Sequence, residues 1–212
     1  MAEVTSLLLK RCTDVLFSSL MLLLTSPIMA VVALGVWLES GSPVIFRQER
    51  VGVGLRRFHI LKFRTMRARC GGPQLTVGGD SRITRVGSVL RLTKIDELPQ
   101  FWNVLRGDMS VVGPRPEVPE FVEMFKARFE NILSIRPGIT DLGSIYFRNE
   151  EKILAHSPDP MSEYRKRILP MKLDLAEKYL RERSLPRDIA IILKTAVATL
   201  WPTAPGQRKQ VG

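Results

Sequence analysis

The feature that most constrains this chain is an apolar segment, Val15 to Leu38, which a Ser26-Pro27 pair interrupts near its middle. As a straight helix its 24 residues would reach about 36 Å, which is enough to cross a bilayer core of roughly 30 Å. Proline removes a backbone donor and clashes with the preceding turn, so each half alone would reach only ~18 Å. The segment itself therefore leaves two forms open, a kinked spanning helix and a re-entrant hairpin.

Basic residues lie on both sides of the apolar segment. Two precede it and five follow it: Lys10 and Arg11, then Arg47, Arg50, Arg56, Arg57 and Lys62. Because an excess of Lys and Arg marks the cytoplasmic side of a membrane segment, this placement favours the re-entrant form, broken at Ser26-Pro27. The run is too long for a cleavable signal, and Glu39 to Pro43 is a weak match to a cleavage site, so the segment is predicted to be retained.

The chain is strongly basic, with 32 Lys and Arg against 21 Asp and Glu and a formal net charge of +11. This charge fits nucleic acid, an anionic membrane surface or an anionic substrate, and the apolar segment favours lipid. Cys12 and Cys70 show no metal-ligand spacing with His59 and His156, and we interpret both cysteines as free thiols in a reducing compartment. The length of 212 residues suits one catalytic domain with a membrane element.

Two short runs that contain Phe and Ile, Val44 to Phe46 and Arg57 to Met66, flank Gly52-Val53-Gly54 and predict a two-stranded hairpin. Lys62 and Arg64 would share one face of the second strand, either as part of a site or as the solvated face of an edge strand. The glycine-rich stretch from Cys70 to Asp80 is typical of a loop.

Apolar residues at helical spacing predict helices in much of the remaining chain. Pro99 suits the first residue of one helix, which would stop at Gly107. The other predicted helices are Ile83 to Leu92, Glu117 to Leu133, Ser162 to Arg183, and Asp188 to Leu200. The last is too short to span a bilayer, so an interfacial or packed helix is expected.

The predicted fold class is α+β and mostly helical, with interfacial amphipathic helices. Three parts are expected along the chain: residues 1–40 as an N-terminal re-entrant membrane helix, residues 41–201 as a small cytoplasmic catalytic domain, and residues 202–212 as a flexible basic tail.

One stretch, Arg91 to Leu105, combines acids, bases and a proline in a pattern expected around a phosphate. Asp96 and Glu97 lie just before a predicted helix N-terminus, where backbone N–H groups and the helix dipole favour an anion. Two carboxylates would repel that anion unless a cation mediates, and Mg²⁺ is commonly held by one or two carboxylates plus phosphate oxygens. Because Asp is also a common helix cap, these residues alone leave a cap and a magnesium site open.

Gly113-Pro114-Arg115-Pro116 follows closely, and its two prolines fix their φ angles on either side of Arg115. Such a loop can hold a cation in a fixed position, or it is a stiff surface turn. Together with Asp96-Glu97 before Leu-Pro-Gln, and with Arg136-Pro137-Gly138-Ile139-Thr140, this motif resembles the bacterial sugar transferase family of monotopic phosphoglycosyl transferases. The resemblance runs from about Lys10 to about Tyr179 and includes five motifs in the family's order.

The resemblance implies an activity and a cellular place. Such enzymes move a sugar 1-phosphate from a UDP-sugar onto polyprenyl (undecaprenyl) phosphate, giving polyprenyl diphosphosugar and UMP through a phosphosugar-aspartyl intermediate. The implied cofactor is Mg²⁺, and the implied place is the cytoplasmic face of the bacterial inner membrane, at the first membrane step of surface-glycan synthesis. The family reading also implies the re-entrant helix and contact with membrane lipid, excludes nucleic acid as a partner, and is compatible with an oligomer.

Site roles are implied by the same resemblance, motif by motif. Asp96 would be the nucleophile and Glu97 the magnesium ligand. The predicted substrate-binding residues are Lys62 and Arg91 at phosphate, Pro114, Arg115 and Pro116 at the nucleotide, and Arg136, Arg148 and Asp174 elsewhere in the matched region.

The chain departs from the family pattern after Thr140. Many members continue with glycine, an aromatic residue and Gln-Val, whereas this chain has Asp141 to Phe147 in the order Asp-Leu-Gly-Ser-Ile-Tyr-Phe. The motifs for the chemistry are intact, so the departure concerns the sugar that the donor carries.

Two other functions fit part of the sequence. A non-catalytic membrane adaptor that binds anionic lipid would explain the basic charge and the apolar segment, but not the Asp-Glu pair inside an otherwise basic run. A membrane-tethered nucleic-acid binder lacks any recognised module or interleaving of aromatic and basic residues.

Overall fold

Helices dominate the structure, a computed structural model that describes residues 2–67, 78 and 80–200, and two small sheets accompany them. The predicted α+β, mostly helical class is therefore confirmed. Cys70, most of the predicted loop from Cys70 to Asp80, and the predicted tail at 202–212 lie outside the described residues.

The N-terminal segment forms one long helix, α1 (Ala2–Ser40), with Pro27 inside it. Pro27 has no N–H to donate to the carbonyl of Leu23, and the Ser26 hydroxyl donates to that carbonyl instead, at 2.8 Å. The chain therefore stays helical through the predicted break at Ser26-Pro27. Within the described part of the chain, α1 is the one helix long and apolar enough to cross a membrane, which fits the predicted membrane association.

The predicted hairpin is confirmed, with a longer first strand than expected. Strands β1 (Ile45–Val51) and β2 (Arg57–Phe63) pair antiparallel, joined through a 3-10 turn at Val53–Leu55. The buried side chain of Asn103 accepts from Leu61 N at 3.0 Å and donates to His59 O at 2.8 Å. Asn103 lies in the helix Gln100–Arg106. The contact therefore fixes that helix against the edge of β2 that does not pair with β1.

Two short helices carry the chain to the acidic pair. Helix α2 (Arg85–Thr93) begins at Thr84, whose hydroxyl accepts from Gly87 N at 2.9 Å, and ends at Lys94, which has a left-handed φ of 60°. A 3-10 turn (Ile95–Glu97) then leads to α3 (Gln100–Arg106). Gly107, with φ of 91°, ends this helix as predicted, whereas Pro99, predicted as its first residue, immediately precedes it.

A parallel pair of three-residue strands was not predicted. Strand β3 (Ser110–Val112) pairs with β4 (Gly138–Thr140), although the sequence around Gly138 had suggested only a break. The backbones of these two segments cross so closely that a Cβ atom at Gly138 would lie 2.1 Å from the Gly113 nitrogen. This crossing holds the start of the Gly-Pro-Arg-Pro loop in place.

We therefore expect Gly138→Ala to destabilise the protein by at least about 3 kcal/mol, the upper part of the range for overpacking, because backbone rather than a flexible side chain must move. Gly35→Ala is the matched control, since its Cβ would meet Val86 at an ordinary 3.9 Å. Thermal unfolding of both variants in detergent micelles measures the difference, and equal melting temperatures would contradict the close crossing.

The remaining helices pack on two hydrophobic clusters, the main core and a second cluster beside the β3–β4 pair. They are α4 (Pro119–Met124), α5 (Lys126–Ile132), α6 (Leu142–Tyr146), α7 (Glu150–Ala155), α8 (Pro160–Glu163), α9 (Leu169–Glu182) and α10 (Leu185–Leu200). The single helix predicted from Glu117 to Leu133 is wrong, because non-helical angles at Phe125 divide it. Phe121 and Phe129, one on each side of the division, belong to the same core cluster.

The helix predicted from Ser162 to Arg183 is confirmed with one modification. A π-helical turn (Tyr164–Ile168) joins α8 to α9 just before Pro170. Proline lacks an N–H and its ring clashes with the carbonyl four residues earlier, so the wider turn accommodates it.

Helix α10 begins three residues earlier than predicted, and it has one packed face and one exposed apolar face. Ile191 is buried against the β3–β4 region, whereas Ile189, Leu193 and Val197 are each more than half exposed. One face therefore packs on the domain and the other presents apolar side chains outward.

Candidate active site

A cavity of about 1090 Å³ lies between the β1–β2 hairpin, α2 and the Pro114-Arg115-Pro116 loop, with Asp96 and Glu97 among its lining residues. Its described lining contains three acidic residues and nine basic ones, which are Arg47, Arg50, Lys62, Arg64, Arg67, Arg82, Arg91, Lys94 and Arg115. The net positive charge of this lining suits an anionic ligand.

Glu97 is the centre of a buried charge cluster. Its Oε1 accepts from Lys62 Nζ at 2.7 Å and from Arg115 Nη2 at 2.9 Å. Burial acts to raise the pKa of Glu97, but Arg115 and Lys62 outweigh it and hold this pKa well below its ordinary value. Burial also lowers the pKa of Lys62, against the opposing charge of Glu97. Glu97 is therefore held as a carboxylate, and it brings the hairpin lysine and the loop arginine together.

Asp96 lies beside this cluster in a different electrostatic environment. Its side chain is buried, and its Oδ1 has no hydrogen-bond partner among the described residues. Burial, and then the charge of Glu97, raise the pKa of Asp96 above its ordinary value. Two adjacent carboxyl groups whose pKa values are pushed apart are typical of sites where the two groups have separate roles.

The loop that carries Arg115 is supported by residues that the sequence analysis did not identify as part of a site. Arg50 Nη1 donates to Pro116 O at 3.1 Å and to Glu117 Oε2 at 3.3 Å. The Tyr164 hydroxyl donates to Glu117 Oε1 at 2.8 Å, and burial raises the Tyr164 pKa well above its ordinary value. The available signal was the position of Glu117 directly after the Pro-Arg-Pro motif.

The structure brings five of the predicted residues together at the cavity: Lys62, Arg91, Asp96, Glu97 and Arg115. The flanking prolines of the loop have separate backbone roles, since Pro114 O accepts from Gly138 N at 2.9 Å while Pro116 O accepts from Arg50. Arg64, predicted to share a face with Lys62, also lines the cavity, and its buried side chain donates to Ser40 O at 2.7 Å. The solvated-edge alternative for these two residues is wrong.

Three predicted substrate-binding residues lie elsewhere. Arg136 is exposed and its Nε donates to Gly107 O at 2.9 Å, and Arg148 Nη2 reaches Thr199 O at 3.5 Å. The Asp174 carboxylate is 68% exposed and pairs with Arg128 at 2.7 Å. These three do not line the cavity, and their substrate-binding roles stay predictions.

The divergent segment after Thr140 borders the site. Asp141 Oδ1 accepts from Ser144 N at 2.7 Å and so caps α6, which places the Ser144 hydroxyl 3.3 Å from Arg115 Nη1. This contact joins the segment expected to affect the sugar to the arginine expected to bind the nucleotide.

The acidic pair has the donor atoms that Mg²⁺ requires. Both hydrogen bonds to Glu97 fall on Oε1, and Asp96 Oδ1 is a buried oxygen without a partner in the described part of the chain. That part contains no group of three or more His, Cys, Asp or Glu residues arranged for a metal. Mg²⁺ usually needs only one or two carboxylates beside substrate oxygens and water, so the pair fits it.

Comparison with known proteins gives a family match over most of the chain. The family described as bacterial sugar transferase matches residues 5–202. The chain belongs to the bacterial sugar transferase family. This assignment confirms the resemblance seen in the three motifs around Asp96, Arg115 and Arg136.

Relatives in this family share similar sequence over most of the chain. The UDP-glucose:undecaprenyl-phosphate glucose-1-phosphate transferase of Caulobacter vibrioides is 40% identical over 196 residues, covering 90% of this chain and 69% of that protein. The protein of the same name from Escherichia coli strain K12 is 39% identical, covering 89% of this chain and 39% of its own length. An Aeromonas hydrophila relative, 38% identical, is named a UDP-N-acetylgalactosamine-undecaprenyl-phosphate N-acetylgalactosaminephosphotransferase, with 88% and 42% covered. The chain thus spans about two fifths of the length of the latter two.

Proposed function

We propose that this protein transfers a sugar 1-phosphate from a UDP-sugar to undecaprenyl phosphate and releases UMP, at the cytoplasmic face of a bacterial inner membrane. Family membership supports this reaction, as do the names of the Caulobacter vibrioides and Aeromonas hydrophila relatives. The observation that carries the proposal is the Asp96-Glu97 pair in a cavity whose described lining also contains nine basic side chains.

In the first step the ionised Asp96 carboxylate attacks the β-phosphorus of the UDP-sugar. A P–O bond forms to Asp96, the bond to the bridging oxygen breaks, and UMP leaves with that oxygen and its electron pair. Burial raises the pKa of Asp96, so its carboxylate is poorly solvated and more basic than an ordinary aspartate. Lys62 and Arg115 supply fixed positive charge beside the acidic pair. This charge stabilises the negative charge that develops on the leaving UMP.

In the second step an oxygen of undecaprenyl phosphate attacks the phosphorus of the aspartyl phosphosugar, and Asp96 is released as a carboxylate. The donor is water-soluble and the acceptor is a lipid, so a covalent intermediate lets one site serve each in turn. Glu97, with Asp96, would hold Mg²⁺, which when bound offsets pyrophosphate charge.

A re-entrant α1 is the second part of the proposal, because both ends of this helix dock on the same folded unit. Asp14 accepts from the Ser110 hydroxyl at 2.7 Å and from Val111 N at 3.2 Å. Glu39, 25 residues later, accepts from Arg85 N at 2.7 Å and caps α2. Because one folded domain lies on one side of a bilayer, the two parts of α1 that dock on it must lie on that same side.

The middle of α1 presents apolar side chains for immersion in lipid. Leu23 is 71% exposed and Val31 is 72% exposed. Five further apolar residues of this segment are also exposed: Leu16, Leu20, Leu24, Ile28 and Leu34. A helix apolar around its circumference enters the hydrocarbon rather than lying on its surface. The helix would therefore dip into one leaflet and return, which requires it to bend at Pro27 while remaining helical.

Topology can be measured by cysteine labelling in intact cells. In a Cys12→Ser, Cys70→Ser background, single cysteines at Ala2 and at Ser42 should both resist a membrane-impermeant reagent until the cells are permeabilised. Replacing Ser26 and Pro27 with leucine should expose the Ala2 site to the outside if packing permits the helix to straighten. Labelling of the Ala2 site from outside in the otherwise unchanged protein would end the re-entrant proposal.

Arg115→Ala should weaken binding of the UDP-sugar more than binding of the lipid acceptor, because the loop that carries Arg115 is assigned to the nucleotide. Loss of a charged hydrogen bond costs roughly 1.5–3 kcal/mol, or about 10- to 150-fold in donor affinity. Arg128→Ala is the control, because it also removes an arginine paired with carboxylates, at Asp174 and Glu177, but outside the cavity. An unchanged donor Kd in folded Arg115→Ala would remove the loop from the donor site.

The proposed reaction is tested by UMP release from a panel of UDP-sugars with a short-chain polyprenyl phosphate. Repeated turnover, with more than one UMP released per protein, that requires donor, acceptor and Mg²⁺ supports the proposal, and the preferred donor names the sugar. A protein that binds anionic vesicles and releases no UMP with any donor would instead be the basic membrane adaptor.

A further inference from the structure

Glu151 is the third acidic side chain that lines the catalytic cavity, and its partner is an arginine assigned to phosphate. The Oε1 atom of Glu151, on α7, accepts from Nη2 of Arg91, in the last turn of α2. Nη1 of Arg91 also reaches the Thr65 hydroxyl at 3.4 Å. The side chains of Arg91 and Glu151 are 21% and 43% exposed, so a ligand in the cavity has access to the pair.

We propose that Glu151 occupies the guanidinium of Arg91 in the ligand-free protein and that a substrate phosphate displaces it. This inference rests on the proposed function, which assigns phosphate to Arg91. A carboxylate offers one negative charge, whereas a terminal phosphate offers up to two, together with more acceptor oxygens for the arginine fork. The phosphate therefore replaces Glu151 in the geometry that Glu151 already uses.

The ion pair is weak enough to be displaced. Exposed and half-exposed ion pairs alter binding equilibria by only about 1.5- to 5-fold. Glu151 thus lowers substrate affinity by a similar factor while it neutralises Arg91 in the absence of ligand.

Contacts of α7 indicate what the displacement would change. On the cavity side Glu151 holds α7 to α2, and its main-chain oxygen accepts from Gly78 N at 3.1 Å. On the opposite side the adjacent Glu150 pairs with Lys172 of α9. Leu154 of α7 is fully buried in the main core, so α7 stays in place when Glu151 is released, and the displacement frees the Glu151 side chain rather than the helix.

The matched pair of variants is Glu151→Gln and Glu150→Gln, which remove the same charge from neighbouring residues on opposite sides of α7. Isothermal titration calorimetry in detergent micelles would use three probes: UDP, uridine and a short-chain polyprenyl phosphate. We expect Glu151→Gln to bind UDP about 1.5- to 5-fold more tightly than wild type. Its affinity for uridine should be unchanged, because uridine has no phosphate. Glu150→Gln should bind all three probes with wild-type affinity. Tightening of the polyprenyl phosphate in place of UDP would assign Arg91 to the acceptor phosphate.

Three results would overturn the inference. Equal affinities of wild type and Glu151→Gln for both phosphate ligands would show that Glu151 does not compete, and weaker binding by the variant would show that Glu151 positions Arg91. Equal tightening by Glu150→Gln would reduce the effect to net charge. Normal UMP release in any of these cases leaves the proposed function standing, whereas wild-type protein that binds neither ligand and releases no UMP contradicts both.

Discussion

Asp96→Asn is expected to reduce turnover by about 10⁴- to 10⁶-fold, the range found when a member of a covalent catalytic apparatus is removed. The amide keeps the shape of the carboxylate but is a far poorer nucleophile, so the loss should appear in kcat rather than in donor affinity. Because Asp96 is buried with a raised pKa, the neutral amide should also fold normally. Kinetics with UDP-glucose and a short-chain polyprenyl phosphate, together with a thermal melt, measure both.

The matched control for Asp96→Asn is Asp159→Asn, which makes the same change at an exposed carboxylate outside the cavity, where it caps α8 and Asn caps about equally well. We expect this control to turn over close to wild type. Turnover by folded Asp96→Asn within about tenfold of wild type would contradict a nucleophilic role for Asp96.

Glu97→Gln is expected to have the second largest effect, through stability and metal use together. Loss of its charge leaves Lys62 and Arg115 without their shared carboxylate, at a cost of about 3 kcal/mol, the lower part of the range for breaking a buried pair. If Glu97 holds Mg²⁺, half-maximal activity should also require at least about tenfold more magnesium.

The stability effect has a predicted pH dependence. The pKa of Glu97 is lowered in the folded protein from an ordinary value of 4.5, so its stabilisation is present above that value and is lost as the pH falls through the folded pKa. The difference in free energy of unfolding between wild type and Glu97→Gln should be constant near neutral pH and shrink below about 4.5. Denaturation in micelles as a function of pH measures it.

A double variant separates the two roles of Glu97. Adding Lys62→Met to Glu97→Gln removes one of the stranded cations and should recover part of the lost stability, without restoring the magnesium requirement of wild type. An unchanged magnesium requirement in Glu97→Gln itself would reduce Glu97 to a counter-ion for Lys62 and Arg115.

The elements next to the acidic pair could be predicted because their signals are local. Pro99 and Gly107 mark the ends of α3 through fixed or left-handed backbone angles, and Asp96-Glu97 precede Pro99 in the same stretch. The β3–β4 pair could not be predicted, because three-residue strands carry no measurable periodicity and meet across a long sequence separation. The break at Phe125 has no Gly or Pro signal and depends on how the core packs.

The site was predictable as motifs but not as distances. Lys62 and Arg115 were each assigned to substrate, whereas the structure shows that both donate to one oxygen of Glu97, from positions 35 and 18 residues away. The support of the loop by Arg50, Glu117 and Tyr164 likewise joins residues far apart in the chain. Such convergence is a property of tertiary structure, which motif spacing does not contain.

The most direct test of the proposed mechanism is mass spectrometry of the protein mixed with UDP-sugar and Mg²⁺ without acceptor. A covalent scheme predicts an adduct with the mass of the phosphosugar, mapped to Asp96 by peptide analysis and removed when polyprenyl phosphate is added. Initial rates should then show a ping-pong pattern. If no adduct maps to Asp96 with a donor that supports turnover, and rates require both substrates bound together, a single direct displacement replaces this mechanism.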